Sequence, residues 1–313
     1  MRRTLPLALS VVGALALAAC GNDDGGSVVS IEAPETTAAA TTTAAPATTA
    51  TTAAPAPTGV GNECTAGKTI EADTFTVATG EPAYYPYVID DDPESGEGLE
   101  AAIIYAVADA MGFAPENVAW VRSGFNEAIA PGPKNFDVNV QQYSITDERS
   151  QVVSFSEPYY SSNQAIVALE GSPAQGATSL ADLKDVKFGA QVGTTSLQFI
   201  LDVIQPSSEP FVYDDNAAAK AALDAGQIDA IVLDLPTAFY VSAVEIEGSS
   251  VVGQFPASAG GTTDSFGMLM AKDNPIKECV DAALAELTAS GELEAITQEW
   301  MSNFTGAPVI PVG

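Results

Sequence analysis

The chain has 313 residues, 46% of them hydrophobic and 17% charged, with 11 Lys plus Arg against 41 Asp plus Glu and a formal charge of -30. That length leaves room for roughly two domains of ordinary size, and the acidity excludes nucleic-acid binding through a basic patch, because only Arg2 and Arg3 are adjacent. Histidine is absent and there are 3 cysteines, which excludes Ser-His-Asp and Cys-His nucleophiles, imidazole zinc sites and all-cysteine zinc sites; no metal or cofactor is expected.

Taken in chain order, Arg2 and Arg3 precede an apolar run from Leu5 to Ala19 that ends at Cys20. A basic start before a short apolar stretch reads as a secretory signal, residues 1–19, too short for the ~20 residues that span a bilayer. Leu17-Ala18-Ala19-Cys20 resembles a bacterial lipobox. The resemblance implies cleavage before Cys20, lipidation of its thiol and acyl (palmitate-type) anchoring to the cell membrane. The other reading is an ordinary cleaved signal with a chance cysteine. Residues 20–66 then form the anchor and a Thr/Ala/Pro linker, poor in large apolar side chains after Ile31 and therefore expected to stay extended. Cys64 and Cys279 remain, and in an oxidising, exported setting the expectation is a disulfide; two buried thiols are the alternative.

From Thr69 onward short apolar runs alternate with amphipathic segments. Strands are expected at Phe75–Ala78, Val118–Val121, Phe136–Val140, Val186–Val192, Ile228–Leu233 and Phe266–Ala271. Helices are expected at Gly98–Gly112, Ser196–Ile204, Asn216–Ala225, Pro275–Ala289 and Glu292–Met301. The alternation predicts an α/β fold with mainly parallel sheets flanked by helices.

Four segments carry chemistry suited to a small zwitterion. Ser144-Ile145-Thr146-Asp147-Glu148-Arg149 offers a guanidinium fork beside two hydroxyls, a bidentate carboxylate receptor unless Arg149 merely pairs with Asp147 or Glu148. Gly193-Thr194-Thr195-Ser196 opens a helix whose free amides attract anions, although Thr and Ser are also ordinary caps. Asp234 ends an apolar run where open α/β sheets bind ligands; it suits an ammonium, or caps the helix beginning at Pro236. The rings of Tyr84, Tyr85 and Tyr87 follow the first strand and either wall a pocket or pack the loop.

In order and spacing these segments, GEPAYYPY, GLEAA, FDVNVQQYSITDERSQVVSFSEPYY, VGTTS, GQIDAIVLD and NPIKECVDAALAELTASGELEAITQEW, resemble the family-3 solute-binding proteins of polar amino-acid ABC transporters over residues 68–305. The resemblance implies a two-lobed type II periplasmic-binding fold with the ligand cleft between the lobes. Lobe 1 would comprise 67–166 plus 265–313, lobe 2 would comprise 167–264, and hinges would lie near Gln164–Val167 and Ser265–Gly267. Carried over residue by residue, Arg149 would clamp the ligand α-carboxylate, helped by the amides around Thr194 and Thr195. Asp234 would hold the α-ammonium, Ser144 would add a further contact, and Glu81 would face the ligand. Tyr84 would stack on it and Phe125 would wall lobe 1. Gln142 joins the set, and with Gln141 stands where many members have small residues, implying a narrower or more polar pocket. Glu100 and the segment Ala130–Lys134 also depart from the family pattern.

The implied function is capture of an amino acid by an extracytoplasmic, lipid-anchored, monomeric lipoprotein that delivers it to an ABC permease, without catalysis. Glu81 and Asp234 against Arg149 favour a basic or neutral polar ligand, unless Arg122 also points inward. Two rival readings are an envelope enzyme on the same fold, cyclohexadienyl dehydratase-like with Glu81 as acid or base, and a surface sensor module.

Overall fold

A computed structural model describes residues 60–304 and 306–313. The signal segment, Cys20 and most of the linker lie outside them. Among the described residues there are eleven strands: β1 (Phe75–Thr79), β2 (Val118–Arg122), β3 (Val138–Asn139), β4 (Val153–Phe155), β5 (Tyr160–Leu169), β6 (Phe188–Gln191), β7 (Phe211–Tyr213), β8 (Ala230–Asp234), β9 (Ser249–Phe255), β10 (Thr263–Phe266) and β11 (Leu269–Ala271). They build one sheet in the order β2-β1-β3-β11-β4 and another in the order β10-β5-β8-β6-β7, with β9 also paired to β5.

In the first lobe, Phe75 and Val77 of β1 point into a core shared with Leu99, Ile103 and Val107 of the helix Leu99–Ala110. Val280, Ala283, Leu284 and Leu287 of the helix Lys277–Ser290 close it. Those spacings of three and four put the apolar groups on one helical face. The disulfide between Cys64 and Cys279 ties the helix Gly61–Thr65 to that C-terminal helix. In the second lobe β5 reads AIVAL with no polar alternation because both faces are covered. Ile166 and Ala168 face one cluster with Phe188, Ile200 and Phe255, while Ala165 and Val167 face another with Leu223, Ile231 and Val241.

Four expectations are corrected. The sheets are mixed rather than mainly parallel: β1–β2, β1–β3, β6–β7 and β6–β8 are parallel, but every pairing of β5 and β11 is antiparallel, because those strands return the chain. Phe266–Ala271 is two strands in two different sheets, broken at Gly267 and Met268. The crossings between sheets therefore lie at Ser156–Tyr159 and at Gly267–Met268, whereas Gln164–Val167 sits inside β5 in register with β8. Lastly, the tail 306–313 packs on the second sheet rather than the first. Ile310 is fully buried against Phe255 and Val252, and its amide bonds the Gln254 carbonyl at 3.0 Å.

Candidate functional site

The C-terminal ends of β1, β3, β6 and β8 converge on a cleft of ≈ 590 Å³. From the first lobe come Glu81 and Tyr84 on the loop after β1, Phe125 at the start of the helix Phe125–Ile129, and Gln142, Ser144 and Arg149 after β3. From the second come Thr194 and Thr195 after β6 and Asp234 at the end of β8. These nine residues, far apart in sequence, all line the one cleft.

Arg149 is only 8% exposed. It takes neither Asp147 nor Glu148. One terminal nitrogen donates to the Ser144 carbonyl at 2.8 Å and the other to the Gly193 carbonyl of the opposite lobe at 2.9 Å. The Phe125 ring centroid lies 5.4 Å from the guanidinium carbon and the ring itself stacks on Tyr143 at 4.7 Å, so the cation sits over an aromatic face. Thr146 fixes the helix that carries it, its hydroxyl accepting from the Arg149 amide at 3.2 Å. Burial lowers the Arg149 pKa while Tyr143, Asp264 and Glu148 act in the other direction. Ser144 Oγ and Thr195 Oγ1 meet at 3.2 Å across the two lobes.

Asp234 stands at the junction of β8 and the helix that follows it. It caps the helix Leu235–Tyr240, accepting from the Thr237 amide at 3.1 Å, and it faces the cleft. Tyr87 donates to its Oδ1 at 2.6 Å. Burial raises the Asp234 pKa, and the bonds from Tyr87 and Thr237 hold it back. Thr194 spends its hydroxyl as a cap, accepting from the Leu197 amide at 3.1 Å. Tyr84 stands under the Lys220 ammonium at 4.9 Å from the ring centroid, and burial lifts its phenol to about 12.

Gln142 is turned partly away from the role expected of it. Its backbone is left-handed at φ 52, and both its main-chain and side-chain nitrogens donate to the carboxylate of Glu100. Glu100 is fully buried, also accepts from Tyr159, and is pushed up to about 7, by burial first. Arg122 lines the cleft but is engaged by Asp91 at 2.5 Å and the Gly80 carbonyl at 2.6 Å. Sequence reasoning missed Tyr87 as a partner of Asp234, and missed Gln164, Gln191 and Asp264 on the cleft wall. The signal available for Gln164 was a polar residue bordering the apolar run AIVAL of β5, whereas Gln191 at the end of β6 and Asp264 in the polar stretch TDSF of β10 carried none.

Two lobes, a buried arginine reaching from one to the other and an aspartate at a strand's end thus share one cleft. The model of the bacterial extracellular solute-binding proteins, family 3, matches residues 76–303. The chain belongs to that family. The L-cystine-binding protein TcyJ of Escherichia coli (strain K12) is 26% identical over 241 residues, 76% of this chain and 86% of that protein. An ancestral arginine-binding protein bound to arginine is 28% identical with a TM-score of 0.60, covering 73% of this chain and 98% of that one. The ancestral amino acid-binding protein AncCDT-1, a precursor of cyclohexadienyl dehydratase, is 26% identical with a TM-score of 0.59, covering 74% and 96%. The fold of this solute-binding protein is the two-lobed type II periplasmic-binding fold, and its relatives are named for the amino acids they bind.

Proposed function

We propose that this protein captures an amino acid between its lobes and delivers it to an ABC permease, anchored outside the cytoplasm through a lipidated Cys20 and acting as a monomer. The carrying observation is the buried cation of Arg149 and the half-buried carboxylate of Asp234, charges of opposite sign on opposite lobes of one cleft. A zwitterion satisfies both, so its contacts favour the closed arrangement, and that differential affinity is what drives closure. In this reading the nine cleft residues hold the ligand, with the α-carboxylate on Arg149 and the α-ammonium on Asp234.

The charge of the cleft supports a basic or neutral polar side chain. Glu81, Glu127, Asp214, Asp215, Asp234 and Asp264 line it against Arg122 and Arg149, and Arg122 is already paired with Asp91. An acidic ligand would meet like charge there.

The test is a melting-temperature screen against the common amino acids and prephenate, followed by calorimetry. A ligand that binds only the native state raises the melting point with concentration. The reading holds when a basic or polar amino acid does so and Arg149→Ala abolishes the shift. Consumption of prephenate would move the assignment to an enzyme. Labelling with a palmitate analogue in cells, lost in Cys20→Ala, tests the anchor.

A further inference from the structure

We propose that Tyr85, Tyr240 and Phe304 form an aromatic latch outside the cleft that holds the two lobes together with or without a ligand, so that these residues set affinity without touching what is bound. The latch goes beyond the function proposed above and does not depend on which molecule the cleft takes.

Tyr85 belongs to the first lobe, on the loop after β1, and Tyr240 to the second, at the end of the helix Leu235–Tyr240. Their rings stack at 4.5 Å between centroids, with 28° between the planes. Phe304 stands edge-on to Tyr85 at 6.1 Å and meets Phe239 at 6.1 Å. Phe304 packs on the core of the first lobe and Phe239 on that of the second. Two ring contacts therefore cross from lobe to lobe, and the Tyr85–Phe304 contact joins them into one cluster. All four rings are half-buried, and none lines the cleft.

The C-terminal tail keeps Phe304 at this seam. Before it, Met301 is buried in the core of the first lobe; after it, Ile310 is buried in the core of the second. The Gln254 amide donates to the Pro308 carbonyl at 2.7 Å, and the Ile310 amide donates to the Gln254 carbonyl at 3.0 Å. Gly253 makes room for that anchor, because a Cβ there would lie 2.5 Å from Ile310 Cδ1. The tail is thus a link between the lobes additional to the crossings at Ser156–Tyr159 and Gly267–Met268, anchored on both sides of Phe304. Inside the cleft the lobes meet through polar bonds, Arg149 to Gly193, Ser144 to Thr195 and Tyr87 to Asp234. A ligand seated on Arg149, Thr195 or Asp234 competes with those bonds. The aromatic cluster draws on apolar burial and ring geometry and competes with no ligand. A contact made only when the lobes meet raises the closed population, and apparent affinity scales with that population.

The experiment measures interlobe distance in the full protein without ligand, by pulsed EPR between spin labels carried on p-acetylphenylalanine at Pro131 and Gln198, so that the cysteines stay untouched. Both positions are exposed. One follows the helix Phe125–Ile129 and the other lies on the helix Thr195–Phe199; these elements face each other across the cleft, where Asn126 Nδ2 donates to the Val192 carbonyl at 3.4 Å. In Tyr85→Ala and in Tyr240→Ala the ratio of closed to open populations should fall about three- to tenfold. It should fall little further in the double variant, because both substitutions remove one contact, and Phe304→Ala should move it the same way. Identical distance distributions in wild type and variants, additive losses in the double variant, or a wild type showing only the open distance would each overturn the latch. Calorimetry then takes the amino acids that raise the melting temperature of the wild type. Each variant should bind all of them more weakly by one common factor, no larger than the change in population ratio. Losses that differ from ligand to ligand would put these rings in the ligand site and overturn the proposal. If no amino acid binds, the proposed function falls, and the ligand-free distances still decide the latch. Where an alanine variant fails to melt cooperatively, Tyr85→Leu or Tyr240→Leu replaces it, keeping apolar bulk without the stacked ring, and must shift the distances in the same direction.

Discussion

Tyr87 and Asp234 stand 147 residues apart in the chain, yet the phenol hydroxyl of one donates to Oδ1 of the other at 2.6 Å, joining the two lobes. Tyr87 is fully buried with its ring edge-on to Phe266, so the donor end of the bond lies out of water. For Asp234 burial acts to raise the pKa and this donor acts to lower it. Tyr87→Phe removes the donor and keeps the ring, so Asp234 will hold its proton to higher pH. A protonated Asp234 no longer attracts an ammonium. Affinity for the amino acid should fall about tenfold at neutral pH. Its decline on acidification should also begin at higher pH than in the wild type. Calorimetry between pH 5 and pH 8 checks both; identical pH profiles would show that the Tyr87 bond does not tune Asp234.

Glu100 makes stability depend on pH. Its carboxyl sits near 7 in the folded protein against 4.5 as the ordinary value. The folded state then binds the extra proton between those values, so stability is greatest below about 4.5 for this group and declines as pH rises toward 7. The decline amounts to a few kcal/mol, on the order of 1.4 per pKa unit. Asp234 and Asp137 are also raised and add to the slope in the same direction. Glu100→Gln should therefore flatten the slope in that window without abolishing it. Urea melts at half-unit steps from pH 4.5 to pH 8 supply the comparison, and parallel slopes in the two proteins would refute the assignment.

Much of the site was legible because its residues lie in short motifs whose order is informative. Arg149, Asp234 and the Thr194-Thr195 turn could each be picked out by chemistry alone, and the structure brings them to one cleft. The links between motifs were not legible. Nothing in GEPAYYPY says that Tyr87 rather than Tyr84 reaches Asp234, since that depends on how the loop meets the other lobe. Strand β5 was hidden because its first half, YSSN, is polar where it pairs with β10, and only its second half is apolar. Phe266–Ala271 looks like one strand because Gly267 and Met268 do not interrupt the hydropathy, although the chain changes sheets there. The return of Ile310 to the second lobe is a tertiary choice with no local pattern behind it.

Gly193 tests how closely the lobes must approach. Its backbone is left-handed, φ +75, and a Cβ placed there would lie 2.4 Å from Asn126 Oδ1 of the other lobe. Gly193→Ala thus carries two separable effects. The backbone strain, about 1–2 kcal/mol, is present whether the cleft is open or closed and should appear as lost stability. The collision with Asn126 exists only when the lobes meet, and displacing that side chain also loses its bond to the Val192 carbonyl at 3.4 Å. Affinity should therefore fall severalfold, and Asn126→Ala in the same chain should recover part of the affinity but none of the stability. Calorimetry and urea melts on the single and double variants give the two quantities. Recovery of both, or of neither, would contradict the separation.

The Cys64–Cys279 disulfide should govern stability and leave binding alone. It closes a loop of sequence separation 215, long enough that its loss releases considerable chain entropy in the unfolded state. Cys279 is fully buried in the core of the first lobe, where Lys68 Nζ approaches its sulfur at 3.5 Å. Neither cysteine lines the cleft. Cys64→Ser with Cys279→Ser should cost about 2–5 kcal/mol in urea unfolding, and adding reductant to the wild type should bring its unfolding curve toward that of the variant. Below the unfolding transition, ligand affinity should match the wild type within a factor of about two, because the bond fixes helix Gly61–Thr65 on the far side of the core rather than the loops that carry Arg149 or Asp234. A large loss of affinity in the folded variant would mean instead that the staple sets the geometry of the cleft.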